Sequence, residues 1–517
     1  MKNTYKTKHN GMSEESKELI KEFKKTRQKN VKKKKKQYPI WVYFTGKDKV
    51  TPHVSVPKLG AFLLNKHQNN WLIVQDKDKN EFWVYKSKKI TPKKSTKVWQ
   101  LDNIKNIKGF IHEELNKYGL WSAKSETDTY KYIVGALQLR IRPKEETIDH
   151  EKDNLVPFLN GVFDVKHMKL LSNDIKYYFT DCSPYEMPEK PKNEATLTNK
   201  WFNETFKENA TTIKEYIGYM FFNTYASFQA FMFLVGEGGD GKSTITNYIA
   251  SLLPSTWVTN MSLEALTKGE KSSTNFNTAE LKGIYLNLNQ DITNDSIQDS
   301  SKIKSLTGWD WINAQKKGKQ KQVRFRNHAK LLFACNSLPK SFDISKGMER
   351  RLYIIPTHKI LDFNDKYDMN KINAERGAFA RECIQLYLDR YNHEIKNHVE
   401  IPQLTLTPSI LDNRKKWIVD NSVVRQWIEE QVIPQNELDK LNWTEQKKNR
   451  GTKETFEAFI NWGKTSNVKY MPSKNEFNKQ LEKAGYKRRR MHFSKNDNIY
   501  RWENLALFQD SGNVPQI

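Results

Sequence analysis

The feature that most limits how this chain can fold is one stretch, residues 231–252, FMFLVGEGGDGKSTITNYIASL. A short apolar run, Phe231 to Val235, stops at Gly236, and a helix-forming segment starts near Lys242. The pattern predicts a buried strand, a glycine-rich loop and a helix in direct succession. Such a unit is built into a parallel sheet with helices packed on it, so the fold class expected is α/β.

The spacing Gly236-Glu237-Gly238-Gly239-Asp240-Gly241-Lys242-Ser243 meets the phosphate-loop pattern. Glycines let consecutive backbone N–H groups turn toward a triphosphate, and the positive end of the following helix lies beneath it. The candidate nucleotide contacts are therefore Gly236, Glu237, Gly238, Gly239, Asp240, Gly241, Lys242, Ser243 and Thr244. Lys242 would reach the β- and γ-phosphates of ATP, and the Ser243 hydroxyl would hold Mg2+. A glycine-rich turn before an ordinary helix is the plainer alternative, and the flanking strand and helix weigh against it.

A chain of 517 residues is too long for a single core. Its formal net charge of +27 calls for a polyanionic partner, and 12% aromatic residues argue against wholesale disorder. No apolar run reaches membrane-spanning length and no signal-peptide pattern opens the sequence, so the expected setting is cytoplasmic, with no membrane partner. Cys182, Cys335 and Cys383 lie far apart without metal-ligand spacing and read as small buried residues.

In order, residues 1–37 form a basic flexible arm ending in the lysine run 32–36. Residues 38–95 read as a small α/β or β-rich unit, with a hairpin loop over 76–80. Residues 96–215 read as a mainly helical, collar-like middle domain, broken by PFLNGVFDVKHMKLL, where Asn160-Gly161 marks a tight turn. Ile213, Ile217 and Met220 give an apolar helix stripe leading into the ATPase part, residues 216–360. Residues 361–420 read as a helical linker with breaks at Pro402 and Pro408, and residues 421–517 as a DNA-binding domain.

Within the ATPase part, LKGIYLNLNQDI is a second apolar strand ending in an acid, Asp291. A nucleotide site needs a carboxylate near the magnesium, commonly on the strand beside the loop, and Asp291 is the candidate, although a strand-capping Asp looks the same. Trp309 to Gln315 and Val323 to Phe325 flank a basic tip that carries Lys316, Lys317 and Lys319. This reads as a hairpin whose ammonium groups touch phosphates, or equally as a hairpin with a solvated tip. KLLFACNS is a third buried strand ending at Asn336, which either orients an attacking water or forms a turn. Arg350 and Arg351 then precede the apolar run 352–355, and an arginine given to a neighbouring subunit's phosphate would neutralise transition-state charge.

This ordered series, from the phosphate loop through LNLNQDI, the Lys317-Gly318 hairpin and LLFACNSLP to ERRLYIIP, resembles superfamily 3 helicases. It looks most like the branch of poxvirus-type nucleoside triphosphatases and phage and plasmid primase C-terminal regions. Within that branch it is most similar to replication initiator helicases of staphylococcal mobile elements. The likeness covers about residues 150–360, and FLNGVFDV and EYIGYMFF are similar to the helical domain accompanying such ATPases. No zinc or acidic primase constellation precedes this part.

The resemblance implies an AAA+ P-loop core, a hexameric ring and movement on single-stranded DNA. By position it makes Lys242 and Ser243 the phosphate and magnesium ligands, Asp291 the acid of the second motif and Asn336 the sensor. Lys317 falls on the pore hairpin and Arg351 is the finger, with Arg350 its close rival. Two departures stand out: Gln290 where a second acid often helps bind magnesium, and Trp309 where a glycine is common.

Near the C-terminus, Ser473-Lys474-Asn475-Glu476 is a capping box opening a helix with Phe477, Leu481 and Ala484 on one face. Its other face and exit carry Lys474, Lys479, Lys483, Lys487, Arg488, Arg489 and Arg490, and two β-like segments follow around a turn at 494–498. Helix then hairpin is the layout of a winged helix that places these cations on DNA; a basic helix facing water is the alternative.

The sequence thus predicts an ATP-hydrolysing DNA helicase or replication initiator of a phage, plasmid or mobile element. Its expected partners are single-stranded and duplex DNA, copies of itself, and primase or other replication proteins. The rivals are a DNA-binding initiator that uses ATP mainly for ring assembly, and an NTPase motor acting on RNA or packaging a genome.

Overall fold

The computed structural model describes residues 38–47, 50–67, 70–76, 79–144, 147–149, 154–190, 195–267, 278–290, 297, 300–315, 322–341, 345–466, 468, 471–493 and 498–511. The lysine-rich arm, Asp291, Lys316, Lys317, Lys319 and the turn at 494–497 lie outside them. The chain divides into two compact units, Met1–Lys86 with Gln100–Thr147, and Ser87–Trp99 with Ile148–Ile517.

In the first unit, β1 (Val42–Thr45) and β2 (Thr51–Val54) pair as a hairpin and lead into helix α1 (Val56–His67). Strands β3 (Trp71–Asp76), β4 (Lys79–Lys89), β5 (Ser95–Asp102) and β6 (Arg142–Pro143) form a sheet of order β5-β4-β3-β6, of which the segment Ser87–Trp99 counts with the second unit. The β3–β4 register runs from Trp71↔Val84 to Asp76↔Lys79, so the expected hairpin is present with strands longer than foreseen. Helices α2 (Ile107–Tyr118) and α3 (Ala123–Gln138) complete this core. Ile107, Ile111 and Leu115, four residues apart, are fully buried in one cluster with Leu59, Trp71, Ile73 and Ile133. A boundary at residue 95 would cut these helices from the sheet they cover, so the expected middle domain does not begin there.

The second unit opens with β7 (Leu155–Phe158), β8 (Gly161–Asp164) and β9 (Lys169–Leu171), an antiparallel meander. Pairing of Phe158 with Gly161 puts the tight turn at Leu159-Asn160, one residue earlier than the expected Asn160-Gly161, because Gly161 already opens β8. Residues 96–215 are therefore less helical than expected, because strands of three or four residues leave no period to count. Helices α4 (Thr196–Phe206) and α5 (Ala210–Tyr219) follow, and Ile213, Ile217 and Met220 are all fully buried.

Next come β10 (Phe231–Val235), α6 (Lys242–Ala250), β11 (Val258–Thr259), β12 (Leu286–Asn289), α7 (Ser300–Thr307), β13 (Trp311–Gln315), β14 (Gln322–Arg326), β15 (Lys330–Cys335) and β16 (Leu352–Pro356). Five of these strands make one sheet of order β11-β12-β15-β10-β16, with every pair parallel. The unbroken apolar runs suit a sheet covered on both faces, and the pleat sorts them. Met232, Leu234, Leu332, Ala334, Tyr353 and Ile355 enter one core cluster. Phe231, Phe233, Leu331, Phe333, Leu352 and Ile354 enter the other.

Helices α8 (Arg376–Lys396) and α9 (Pro408–Asn421) lie in the region expected to be a linker. Phe379, Cys383, Ile384, Tyr387, Leu404 and Ile410 instead belong to the larger core cluster, so this region is structural core. Pro408 opens α9 rather than ending a helix, with Thr407 Oγ1 accepting from Ile410 N at 3.2 Å. Helices α10 (Val423–Gln431), α11 (Thr452–Thr465) and α12 (Lys474–Lys483), with the hairpin β17 (Arg488–His492) and β18 (Asn498–Trp502), enclose Trp427, Phe459, Phe477, Leu481 and Trp502. The three cysteines are free and buried, and no described helix is long and apolar enough to cross a membrane.

At the N-terminal end of β15, His328 and Lys330 are buried. Lys330 Nζ donates to Phe222 O at 2.5 Å and His328 O at 2.8 Å, and lies 4.2 Å from the centre of the Tyr219 ring. Burial pushes the His328 ring down to about 3 and holds the Lys330 ammonium well below its ordinary range. An unfolded chain protonates the imidazole near its ordinary 6.5 while the fold resists down to about 3, so acid favours unfolding across that window. In urea unfolding, His328 is expected to remove about 2 kcal/mol of stability between pH 7 and pH 5. His328→Gln should lack that component of the pH dependence; identical slopes would count against the assignment.

Candidate functional site

The C-terminal ends of parallel strands leave their loops on one edge of the sheet, which is where ligands bind in such folds. Strand β10 ends at Val235 and releases the glycine loop directly into α6, whose first residue is Lys242. Gly239 and Gly241 adopt φ of 76° and 89°, the left-handed region that costs glycine least. Gly236 is required for another reason: a Cβ there would stand 2.1 Å from Asp240 Oδ2 and 2.2 Å from Thr357 Oγ1.

Asp240 is the internal anchor of the loop. Lys242 Nζ donates to both its carboxylate oxygens at 3.0 Å, and to the carbonyls of Gly236 at 2.6 Å and Glu237 at 2.9 Å. The Thr357 hydroxyl, just past the end of β16, donates to Asp240 Oδ2. Thr357 N also bonds Val235 O at 2.8 Å, tying the strand beside β10 to the start of the loop. Ser243 and Thr244 are exposed in the first turn of α6.

A cavity of about 470 Å³ lies over the loop, lined by Gly238, Asp240, Lys242, Ser243, Gln290 and Asn336 among others. The fold thus brings Asn336, exposed at the end of β15, to the cavity over the loop. The second-motif strand is placed differently from expectation. Strand β12 is not beside β10, because β15 pairs with both and separates them. Gln290 still lines the cavity and donates through Nε2 to Asn247 Oδ1 on α6 at 2.8 Å. Asp291, next in sequence, lies outside the described residues.

The two arginines are at the other end of the sheet. Phe231 pairs with Leu352 and its N–H bonds Arg351 O at 2.8 Å, so both precede β16 on the edge away from the loop. Strand β10 alone separates that edge from the loop by roughly 13 Å. Arg351 is only 8% exposed and donates to Gly347 O at 2.6 Å. Arg350 is half-buried, donates to Gln229 Oε1 at 2.6 Å, and burial lowers its pKa.

The C-terminal cations are as exposed as the sequence implied: Lys474, Lys479, Lys483, Lys487, Arg488, Arg489 and Arg490 all face solvent. Ser473 caps α12 by accepting from Glu476 N at 3.3 Å, and Phe477 and Leu481 are its buried face, while Ala484 is half-exposed. Arg489 is partly neutralised by Glu503 at 2.7 Å, and Arg488 lies 5.4 Å from the centre of the Tyr500 ring.

Sequence reasoning missed Thr357 and Asn247. Both had a signal: Thr357 directly follows an apolar strand of the same sheet, and Asn247 stands one helical turn after Ser243. Among the described residues no group of three His, Cys, Asp or Glu could hold a metal. Magnesium at the loop would depend on Ser243, Asp291 and phosphate oxygens, a ligand set that suits an ion which keeps several waters.

Gly236→Ala is expected to break the Asp240–Thr357 contact and weaken ATP or inorganic triphosphate binding by about tenfold or more, because a 1.4 kcal/mol loss already gives that factor. Titration of a fluorescent triphosphate, beside a melting curve to confirm folding, checks it.

Residues 62–207 match the family model "D5 N terminal like", and residues 234–351 match a family of unknown function, DUF5906. No curated protein matches the chain. Among solved structures, the apo C terminal region of NrS-1, residues 305–718, superposes with a TM-score of 0.46 at 9% identity, covering 87% of this chain and 98% of that one. A second apo form of the same region gives a TM-score of 0.44 at 10% identity, covering 86% and 98%. The chain is therefore similar to D5 N-terminal-like sequences over residues 62–207 and to DUF5906 over residues 234–351, which take in the glycine loop and the β13–β14 hairpin.

Proposed function

We propose that the chain is an ATP-dependent DNA helicase or replication initiator of a phage, plasmid or mobile element, working as a ring. The observation that carries this reading is the cavity in which Lys242, Ser243 and Asn336 converge at the C-terminal edge of a parallel sheet. The D5 N-terminal-like match and the exposed cations of α12 and β17 support a replication role on DNA.

The sheet order supports an AAA+ core, since β15 between β10 and β12 carries Asn336 into the space between the loop and Asp291's strand. ATP bound as its magnesium complex supplies the hydrolysable phosphoanhydride. Lys242 exchanges the Asp240 carboxylate for β- and γ-phosphate oxygens, and Ser243 with Asp291 holds the metal. Asn336 orients the attacking water. An arginine on the far edge of the sheet cannot serve the loop of its own chain, so the finger acts on a neighbour, which supports a ring. Arg350 is the better candidate than Arg351, which is 8% exposed and whose guanidinium is bonded to the Gly347 carbonyl. Helix α12 and the hairpin β17–β18 support a winged helix that grips duplex DNA.

A second reading has one observation in its favour. Gln290 sets an amide, already bonded to Asn247, where a second carboxylate would strengthen metal binding. ATP would then serve ring assembly with little turnover.

Wild type is expected to hydrolyse ATP faster with single-stranded DNA and to open a forked duplex, and Lys242→Ala to do neither while still binding DNA. Ring formation on ATP without turnover would favour the second reading, and stimulation by RNA alone would overturn the DNA assignment.

Lys242→Ala and Arg350→Ala should each be inactive alone yet regain ATPase activity when mixed, because some interfaces then pair an intact loop with an intact arginine. No recovery on mixing would remove Arg350 as a finger.

A further inference from the structure

Strands β13 and β14 form an antiparallel hairpin in which Trp311 faces Arg326 and Asn313 faces Arg324. Directly opposed residues share a face, so these four lie together on one side. The other side carries Phe325, 5% exposed, and Ala314, 2% exposed, which join the core cluster beneath the hairpin. The outer side is open: Asn313, Arg324 and Arg326 are exposed, and Trp311 keeps 53% of its surface in solvent.

An aromatic ring of that size at a packed hairpin would ordinarily be turned inward, since burying it is strongly favourable. Strand alternation instead sets Trp311 on the outer face, opposite the inward Ile312–Phe325 pair, where it meets two cations. The Arg324 guanidinium lies 4.7 Å and the Arg326 guanidinium 4.8 Å from its ring centre, and Arg326 is also 5.4 Å from Trp309. Neither guanidinium is paired with a carboxylate among the described residues. Trp311 thus offers exposed ring surface beside two guanidinium groups that meet no carboxylate among the described residues.

We infer that this outer face is a stacking platform for unpaired nucleotides, with a base on the exposed ring of Trp311 and its flanking phosphates on Arg324 and Arg326. An indole accepts any base, because every base has a π-face, and the guanidinium groups supply phosphate charge without reading sequence. A base inside a duplex offers no free face, so the platform selects single strands. The inference rests on the proposed function, that the chain works on single-stranded DNA, and it adds to that reading a residue that senses strandedness.

The test uses the full chain and fluorescence anisotropy with labelled oligo(dT) and a duplex of equal length, over a range of salt. Trp311→Ala is expected to weaken oligo(dT) binding about tenfold. It should leave the salt slope and duplex binding unchanged, and Trp311→Phe should keep most of the affinity. Arg324→Ala and Arg326→Ala should each make the salt dependence shallower by roughly 0.7 in log–log slope, one phosphate contact each. Unchanged oligo(dT) affinity in Trp311→Ala, or an equal loss on single strand and duplex, overturns the platform. A wild-type protein that binds no single-stranded DNA overturns the parent reading as well, which separates the two failures. Unchanged duplex binding by Trp311→Ala itself excludes misfolding as the cause of its loss on oligo(dT).

Discussion

The hydrogen bonding of β10 to a parallel strand on each side is the constraint from which the rest of the second unit follows. Register with β15 and β16 fixes Val235 beside Cys335 and Pro356, so the chain leaves the sheet between two strands that end at the same level. Glycine 236 then has no room for a side chain, because Asp240 and Thr357 close over it. The loop is therefore held by tertiary contacts on both flanks, and α6 starts where those contacts place it.

The same parallel arrangement gives the sheet two unlike ends. At one end lie Lys242, Gln290 and Asn336, polar groups reached by solvent through one cavity. At the other lie Lys330 and His328, polar groups sealed from it, with Arg350 and Arg351 at the start of the edge strand. Strand β15 spans the contrast, from a buried ammonium satisfied by two carbonyls to an exposed amide at the cavity. A buried amino group without partners would be costly, so the carbonyls of Phe222 and His328 and the ring of Tyr219 are what make that end tolerable.

Legibility followed the length of the signal. The loop, its helix and the apolar strands were readable because five or six consecutive apolar residues bounded by glycine or polar residues have few other fates. The start of α12 was readable from Ser473 and Glu476, a cap that marks where that helix begins. The hydrophobic sorting of Phe231 and Phe233 from Met232 and Leu234 was not, since a strand buried on both faces shows no alternation in residue type. Residues 361–420 looked like a linker because Pro402 and Pro408 interrupt the pattern. Yet Pro408 starts a helix, and Phe379 to Tyr387 cover the same core as α5.

What the sequence alone determined is the chemistry that a single continuous segment can encode: glycines, Lys242 and Ser243 at fixed spacing, and cations along α12 and β17. What tertiary structure decided is which distant segments meet. That β15 rather than β12 lies beside β10, that Thr357 holds Asp240, and that Trp311 stands outward beside Arg324 and Arg326 all depend on strand pairing. Pairing is set by burial summed over both faces of a sheet, a quantity that no local window of residues contains.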